Sequence, residues 1–163
     1  MIAAVPTGWT QSTYALSDPA GAGAPFGELS FRLLGSARLS VGADDFEIEP
    51  SGLTRTTLEL TDGVRRLAVA ERPSLWSRRM VVTVASEALG APTDLVLGLA
   101  PDGWLARAWT LTVGDEPVGH AVLERRRSIR PYLTATFPES LPLLVQAFLA
   151  AVVVADRRRN RSA

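Results

Sequence analysis

The chain predicts a mainly β fold, a closed antiparallel barrel of about 11–12 strands around a hydrophobic C-terminal helix. Three observations lead there: an apolar run near the C-terminus, turn signals at close and even spacing, and the arithmetic that joins the two. The run is Leu141 to Ala155, LPLLVQAFLAAVVVA, in which Gln146 is the only polar residue. A helix that is apolar all round must be buried all round. Such a run spans about 22 Å as a helix and falls short of the roughly 20 residues that a bilayer core requires. Burial inside protein is therefore expected rather than a membrane span.

Taken in chain order, residues 1–25 read as an N-terminal segment and flexible linker. Trp9 to Ala15 is a candidate for a loosely attached first strand, and Ser17 to Pro25, SDPAGAGAP, is the connector. Turn signals then follow at Gly35-Ser36, Gly42-Ala43-Asp44-Asp45, Pro50-Ser51-Gly52, Asp62-Gly63, Arg72-Pro73-Ser74, Gly90-Ala91-Pro92, Pro101-Asp102-Gly103 and Gly114-Asp115-Glu116-Pro117. Spacing of about 8–12 residues marks a sandwich or barrel. Between the turns, residues alternate as half-buried strands should. Phe46 and Ile48 oppose Glu47 and Glu49, and Leu58 and Leu60 oppose Glu59 and Thr61. Thr56 to Thr61 and Val64 to Glu71 flank Asp62-Gly63, a hairpin signal. Met80 to Ala85 is apolar on both faces, as for a strand covered on both sides.

Sliding the chain so that Thr57 meets Thr110 also pairs Leu58 with Leu111, Asp62 with Asp115, Ala68 with Ala121 and Arg72 with Arg125. The echo reads either as a structural duplication or as the match that any two alternating hairpins give. A barrel that encloses a helix about 10 Å wide needs more than eight strands, and cans of about eleven strands hold a central helix. Sharing the residues before the helix among eleven or twelve strands leaves about 11–12 residues for each strand and turn, as the turn spacing supplies. The barrel domain is thus expected over 26–158, its helix over about 140–157, and a disordered tail over 159–163.

At 163 residues, 47% hydrophobic and 21% charged, the chain is one globular domain with a core of its own. Its 17 basic and 17 acidic side chains balance, so no global field favours nucleic acid. Cysteine is absent, which excludes disulfides, and lysine is absent, which excludes lysine-based catalysis. Met1 to Gln11 carries no charged side chain and no apolar stretch of signal-peptide length, so a cytoplasmic protein is expected.

Motifs for catalysis fail in turn. A single histidine, His120, cannot supply HExxH, no lysine completes a P-loop, and no GxSxG occurs. Gly21-Ala22-Gly23 begins like a dinucleotide fingerprint, but Phe26 stands where the third glycine belongs. His120 reads as a packed or edge histidine. Asp44, Asp45, Glu47 and Glu49 offer oxygen ligands for a hard cation, yet read more simply as solvated acids beside a turn. No catalytic residue, metal or cofactor is assigned, and an enzyme is not expected.

Two arginine groups carry the functional expectation. Arg125, Arg126, Arg127 and Arg130 sit at a strand end, and Arg72, Arg78 and Arg79 bracket the loop Ser74-Leu75-Trp76-Ser77. Arginine offers bidentate contacts to phosphate, and a tryptophan among arginines suits an anionic membrane surface. The hairpin TLTVGDEPVGHAVLERR from Thr110 to Arg126, the earlier LELTDGVRRLAVAERPSLWSRR, and the apolar helix ending in Ala155-Asp156-Arg157 together resemble the tubby-like C-terminal superfamily of tubby domains, phospholipid scramblases and LURP-one-related proteins. The resemblance spans about Phe26 to Arg158. It implies a barrel closed around its last helix and, in some members, phosphoinositide or phospholipid association. No phosphoinositide signature of lysine and arginine maps onto this chain, and the acidic calcium segment of scramblases is not recognisable. The expected function is a non-catalytic domain that binds anionic lipid headgroups peripherally at the inner membrane surface. The alternative is a structural or protein-interaction module whose partner reads a barrel face or edge.

Overall fold

The structure is a computed structural model that describes residues 1–7, 12–19, 24–32, 35–52, 56–74, 77–103, 107–125 and 131–159. Twelve strands run in chain order: β1 (Ile2–Thr7), β2 (Thr13–Ser17), β3 (Gly27–Phe31), β4 (Ala37–Val41), β5 (Asp44–Ser51), β6 (Thr57–Thr61), β7 (Arg66–Glu71), β8 (Met80–Val84), β9 (Leu95–Asp102), β10 (Ala108–Val113), β11 (Glu116–Arg125) and β12 (Pro131–Thr136). A short helix, α1 (Ser86–Leu89), separates β8 from β9, and α2 (Leu143–Arg159) follows β12. Each strand pairs antiparallel with its neighbours in sequence, and β1 pairs with β12, so the sheet closes. Ile2 faces Ala135 and Ala4 faces Leu133 across the seam.

The wall alternates as expected. Tyr14, Leu16, Leu29, Leu39, Ile48, Leu60, Val82, Leu97, Trp109 and Leu133 point inward and are buried, while Glu47, Glu49, Glu28 and Arg38 point to solvent. Inside lies α2. Ala147 to Val154 are eight consecutive residues at 0–2% exposure, more than two full turns, so every face of the helix is covered by wall. Phe148 and Leu149 each add about 2–3 kcal/mol of burial. The polar interruption is satisfied locally, since Gln146 Nε2 donates to the Leu141 carbonyl at 2.8 Å. Among the described residues no helix is long and apolar enough to cross a membrane.

The N-terminal segment differs from its expectation. Residues 1–25 are not an appendage, because β1 and β2 are two of the twelve staves, and β1 supplies the seam. The short run IAAVPT carries its alternation in small residues, which gives little signal. The centre of the connector, 20–23, and Trp9 lie outside the described residues, as do Trp104 and the loop residues Leu75 and Trp76.

The internal echo is one of pattern rather than of pairing. In the β6–β7 hairpin Leu58 faces Ala70, whereas its counterpart Leu111 faces Gly119 and not Leu123. A two-residue turn, 114–115, joins β10 to β11, where 62–65 join β6 to β7.

Candidate functional site at the arginine end of the barrel

An up-and-down closed barrel puts alternate connections at opposite ends. The connections after odd-numbered strands share one end, and α2, which enters after β12 at the other, runs through the lumen and delivers its C-terminus to that same end. Here the structure places Arg32, Arg72, Arg78, Arg79, Arg107 and Arg157 to Arg159. Among the described residues, Arg65 and Arg66 lie at the other end, Arg38 lies on the wall beside Asp45, and Arg79 starts here but carries its guanidinium along the wall to the Gly114 carbonyl in the β10–β11 turn. The carboxylates at this end are Asp156, the strand-closing Glu71, Asp102 and Glu124, and Glu47, which reaches Arg32. Asp102 accepts from Thr110 Oγ1 at 2.9 Å and Glu124 accepts from the Tyr132 hydroxyl, which turns both along the wall.

The opposite end is acidic. Its connections hold Asp18, Asp62, Glu87, Asp94, Asp115 and Glu139, and the strands that begin there add Asp44, Asp45 and Glu116, against Arg65 and Arg66. A chain of zero net charge is therefore polarised along its barrel axis. This axis was missed in the sequence, where only sorting the turns by parity would have revealed it.

The individual arginines do different things. Arg72, the first residue after β7, forms an ion pair with Asp156 of α2, with side chains only 13% and 2% exposed, and its Nε is buried without a hydrogen-bond partner. Far from a free headgroup ligand, Arg72 ties the helix to the barrel mouth. Asp156 sits in the last turns of α2, where the helix dipole disfavours an anion, so its place is explained by Arg72 rather than by helix chemistry. Burial holds the Arg159 guanidinium below its usual pKa, the positive charge of Arg72 adds to the effect, and Asp156 opposes it. Arg158 stacks over the Phe31 ring at 4.7 Å.

Arg78 is exposed and donates to the Gly103 carbonyl at 3.2 Å, which ties the β7–β8 connection to the β9–β10 connection. Arg79, also exposed, lies along the outer wall and donates to the Gly114 carbonyl at 3.5 Å. It passes over Gly98, where a Cβ would stand 2.7 Å from its Nη2 and 2.5 Å from Thr112 Oγ1. Arg125 closes β11 opposite Pro131. Arg126, Arg127 and Arg130, in the connection that begins there, lie outside the described residues, as does Trp76. The structure thus puts the described end of β11 at the same end as the β7–β8 connection, and engages Arg72 and Arg79 in packing.

The acidic strand is absorbed by its neighbours. Asp45 accepts from Arg38 and from Ser40, and the Arg38 bond holds its carboxyl below the usual value while raising that of Arg38. Glu47 pairs with Arg32 at 3.4 Å, and Glu49 faces Glu59 across β5 and β6. Among the described residues no three carboxylate or histidine side chains are grouped to hold a metal. His120 is exposed on β11 between Thr110 and Thr136. Trp109 is 1% exposed and belongs to the core.

Comparison of the chain with known protein families, curated proteins and solved structures gives no match.

Proposed function

We propose that the chain is a non-catalytic binding domain that docks its arginine end on anionic phospholipid or phosphoinositide headgroups, peripherally, from the cytoplasmic side. The observation that carries this reading is the gathering of arginines at one end of a neutral chain. Only a local cluster could bring such a protein to an anionic surface, and near that surface each arginine contributes about 1 kcal/mol. The tubby-like resemblance supports the same reading, since some members of that superfamily associate with such lipids. Arg78 and Arg107 are exposed at this end, and the contact would add Arg125, Arg126, Arg127 and Arg130, with Trp76 as interfacial anchor. Arg72 acts beneath them by holding α2.

Co-sedimentation with vesicles tests the proposal. Binding is expected to vesicles rich in anionic lipid and not to neutral ones, to weaken as salt rises, and to be lost when Arg125, Arg126 and Arg127 are changed to Glu in a protein whose thermal melt is retained. Equal binding to both vesicle types, or none at low salt, would overturn it. A structural or protein-interaction role is the second reading, and the exposed apolar side chains of the acidic end favour it, Val64 above all at 93% exposure. The seam between β1 and β12 leaves no open sheet edge among the described strands, so a partner would have to read an end or a face.

A further inference from the structure

The acidic end has the anatomy of a docking surface. Val64 stands on a turn that its neighbours hold fast. Asp62 Oδ1 accepts the backbone amides of Val64 at 3.0 Å and Arg65 at 2.7 Å, and Oδ2 accepts Arg65 Nε at 3.0 Å and Nη2 at 2.9 Å. A well-anchored loop that presents a bare valine pays no ordering entropy when the valine is covered. Leu143 at the mouth of the helix, Val113 at the end of β10 and Val96 near the start of β9 are 44%, 43% and 55% exposed at the same end. The connections of this end also carry Asp62, Glu87, Asp94, Asp115 and Glu139, against Arg65 and Arg66 beside Val64, so the end is acidic on balance.

Charge selects the occupant. A face that carries Asp18, Asp62, Glu87, Asp94, Asp115 and Glu139 fits a cationic surface, and the molecule carries such a surface at its other end. We propose that copies of this chain associate head to tail along the barrel axis, the acidic end of one against the arginine end of the next. Two acidic ends repel, as do two arginine ends, so the interface joins unlike surfaces and each added copy leaves a free end of both kinds. The proposal deepens the interaction reading and needs no lipid. An anionic surface that occupies the arginine end would compete with the next copy for it.

Sedimentation velocity without lipid tests it. At about 10 mM salt, where charges act over about 30 Å, the mass is expected to rise above the 17.5 kDa of one chain as concentration increases. At about 1 M salt, where the range is about 3 Å, it should return to one chain. A variant carrying Glu87→Arg, Asp115→Arg and Glu139→Arg and a second carrying Arg78→Glu, Arg107→Glu and Arg157→Glu should each stay monomeric alone and associate when mixed in equal amounts. A wild-type chain that stays monomeric in low salt at about 1 mM, the weak limit of specific binding, would overturn the proposal. So would association that is indifferent to the reversals, or a mixture of two folded variants that remains monomeric. Circular-dichroism melts establish that each variant is folded, and the salt and concentration dependence of the wild type decides the matter even if one is not. Vesicle binding without self-association would sink this proposal and leave lipid docking standing, and the converse result would do the reverse.

Discussion

Arg72 and Asp156, 84 residues apart in sequence, form a nearly buried ion pair that fastens the end of β7 to the last turns of α2. Breaking a buried pair from one side leaves the other charge stranded, which costs about 3–5 kcal/mol, whereas replacing both with apolar residues is often close to neutral. Arg72→Met is therefore expected to lower stability by about 3 kcal/mol, or roughly 6–12 °C in Tm. The double variant Arg72→Met with Asp156→Leu should recover most of that loss. Urea titrations of the single and double variants check this, and a double variant as unstable as the single one would assign the pair a different role.

Ala147 and Ala151 are buried in the lumen at 0% and 2% exposure. Changing either to Arg should bury an unpaired charge at a cost of several kcal/mol, enough to unfold a domain of ordinary stability. Ala147→Leu should be milder, about 1–3 kcal/mol from overpacking. Soluble expression and chemical denaturation separate these cases, and an Ala147→Arg protein that melts like wild type would deny the helix its place in the lumen.

Three glycines mark close approach. A Cβ on Gly27 would collide with the Ser40 carbonyl, and one on Gly119 would stand 2.7 Å from the Thr136 carbonyl. On Gly98 it would meet the side chains of Thr112 and Arg79. Backbone cannot step aside as a side chain can, so Gly27→Ala and Gly119→Ala should each lose more stability than Gly98→Ala. Thermal melts of the three variants rank them directly.

The Asp62 carboxyl is lowered from 3.8 to about 2, mainly by the amides of Arg65 and Val64 and then by the Arg65 guanidinium. A carboxyl whose folded pKa is depressed stabilises the fold fully above its unfolded value and progressively less as pH falls through the folded one. The advantage of wild type over Asp62→Asn should hold at neutral pH and fade between about pH 4 and pH 2. Carboxyl chemical shifts, titrated by NMR, would locate the Asp62 midpoint, and a midpoint near 4 would refute the turn geometry.

Much of the barrel was legible because its signals are local. The all-apolar run of α2, the alternation around Leu58 and Leu60, and the regular turns each declare themselves within a dozen residues. What escaped was long-range. Arg72 looked like a solvent-facing cation beside Trp76, and Asp156 like one more residue at the end of the helix, because an ion pair across 84 residues leaves no local pattern. β1 went unread for a different reason: Ala3, Ala4 and Pro6 alternate in position but hardly in polarity. Equal numbers of acids and arginines concealed a charge axis that only topology, by sending alternate connections to opposite ends, could expose.

The seam and the lumen impose an order on folding. Strand β1 is made early, yet its partner β12 and the helix that fills the barrel are made last, so neither the closing hydrogen bonds nor the core can form until residues 131–159 have left the ribosome. Contacts so distant in sequence close slowly. Until then eleven strands hold their inward apolar side chains without a core, a state exposed to mispairing and aggregation. A chain cut short before residue 143 would lack its interior rather than its tail.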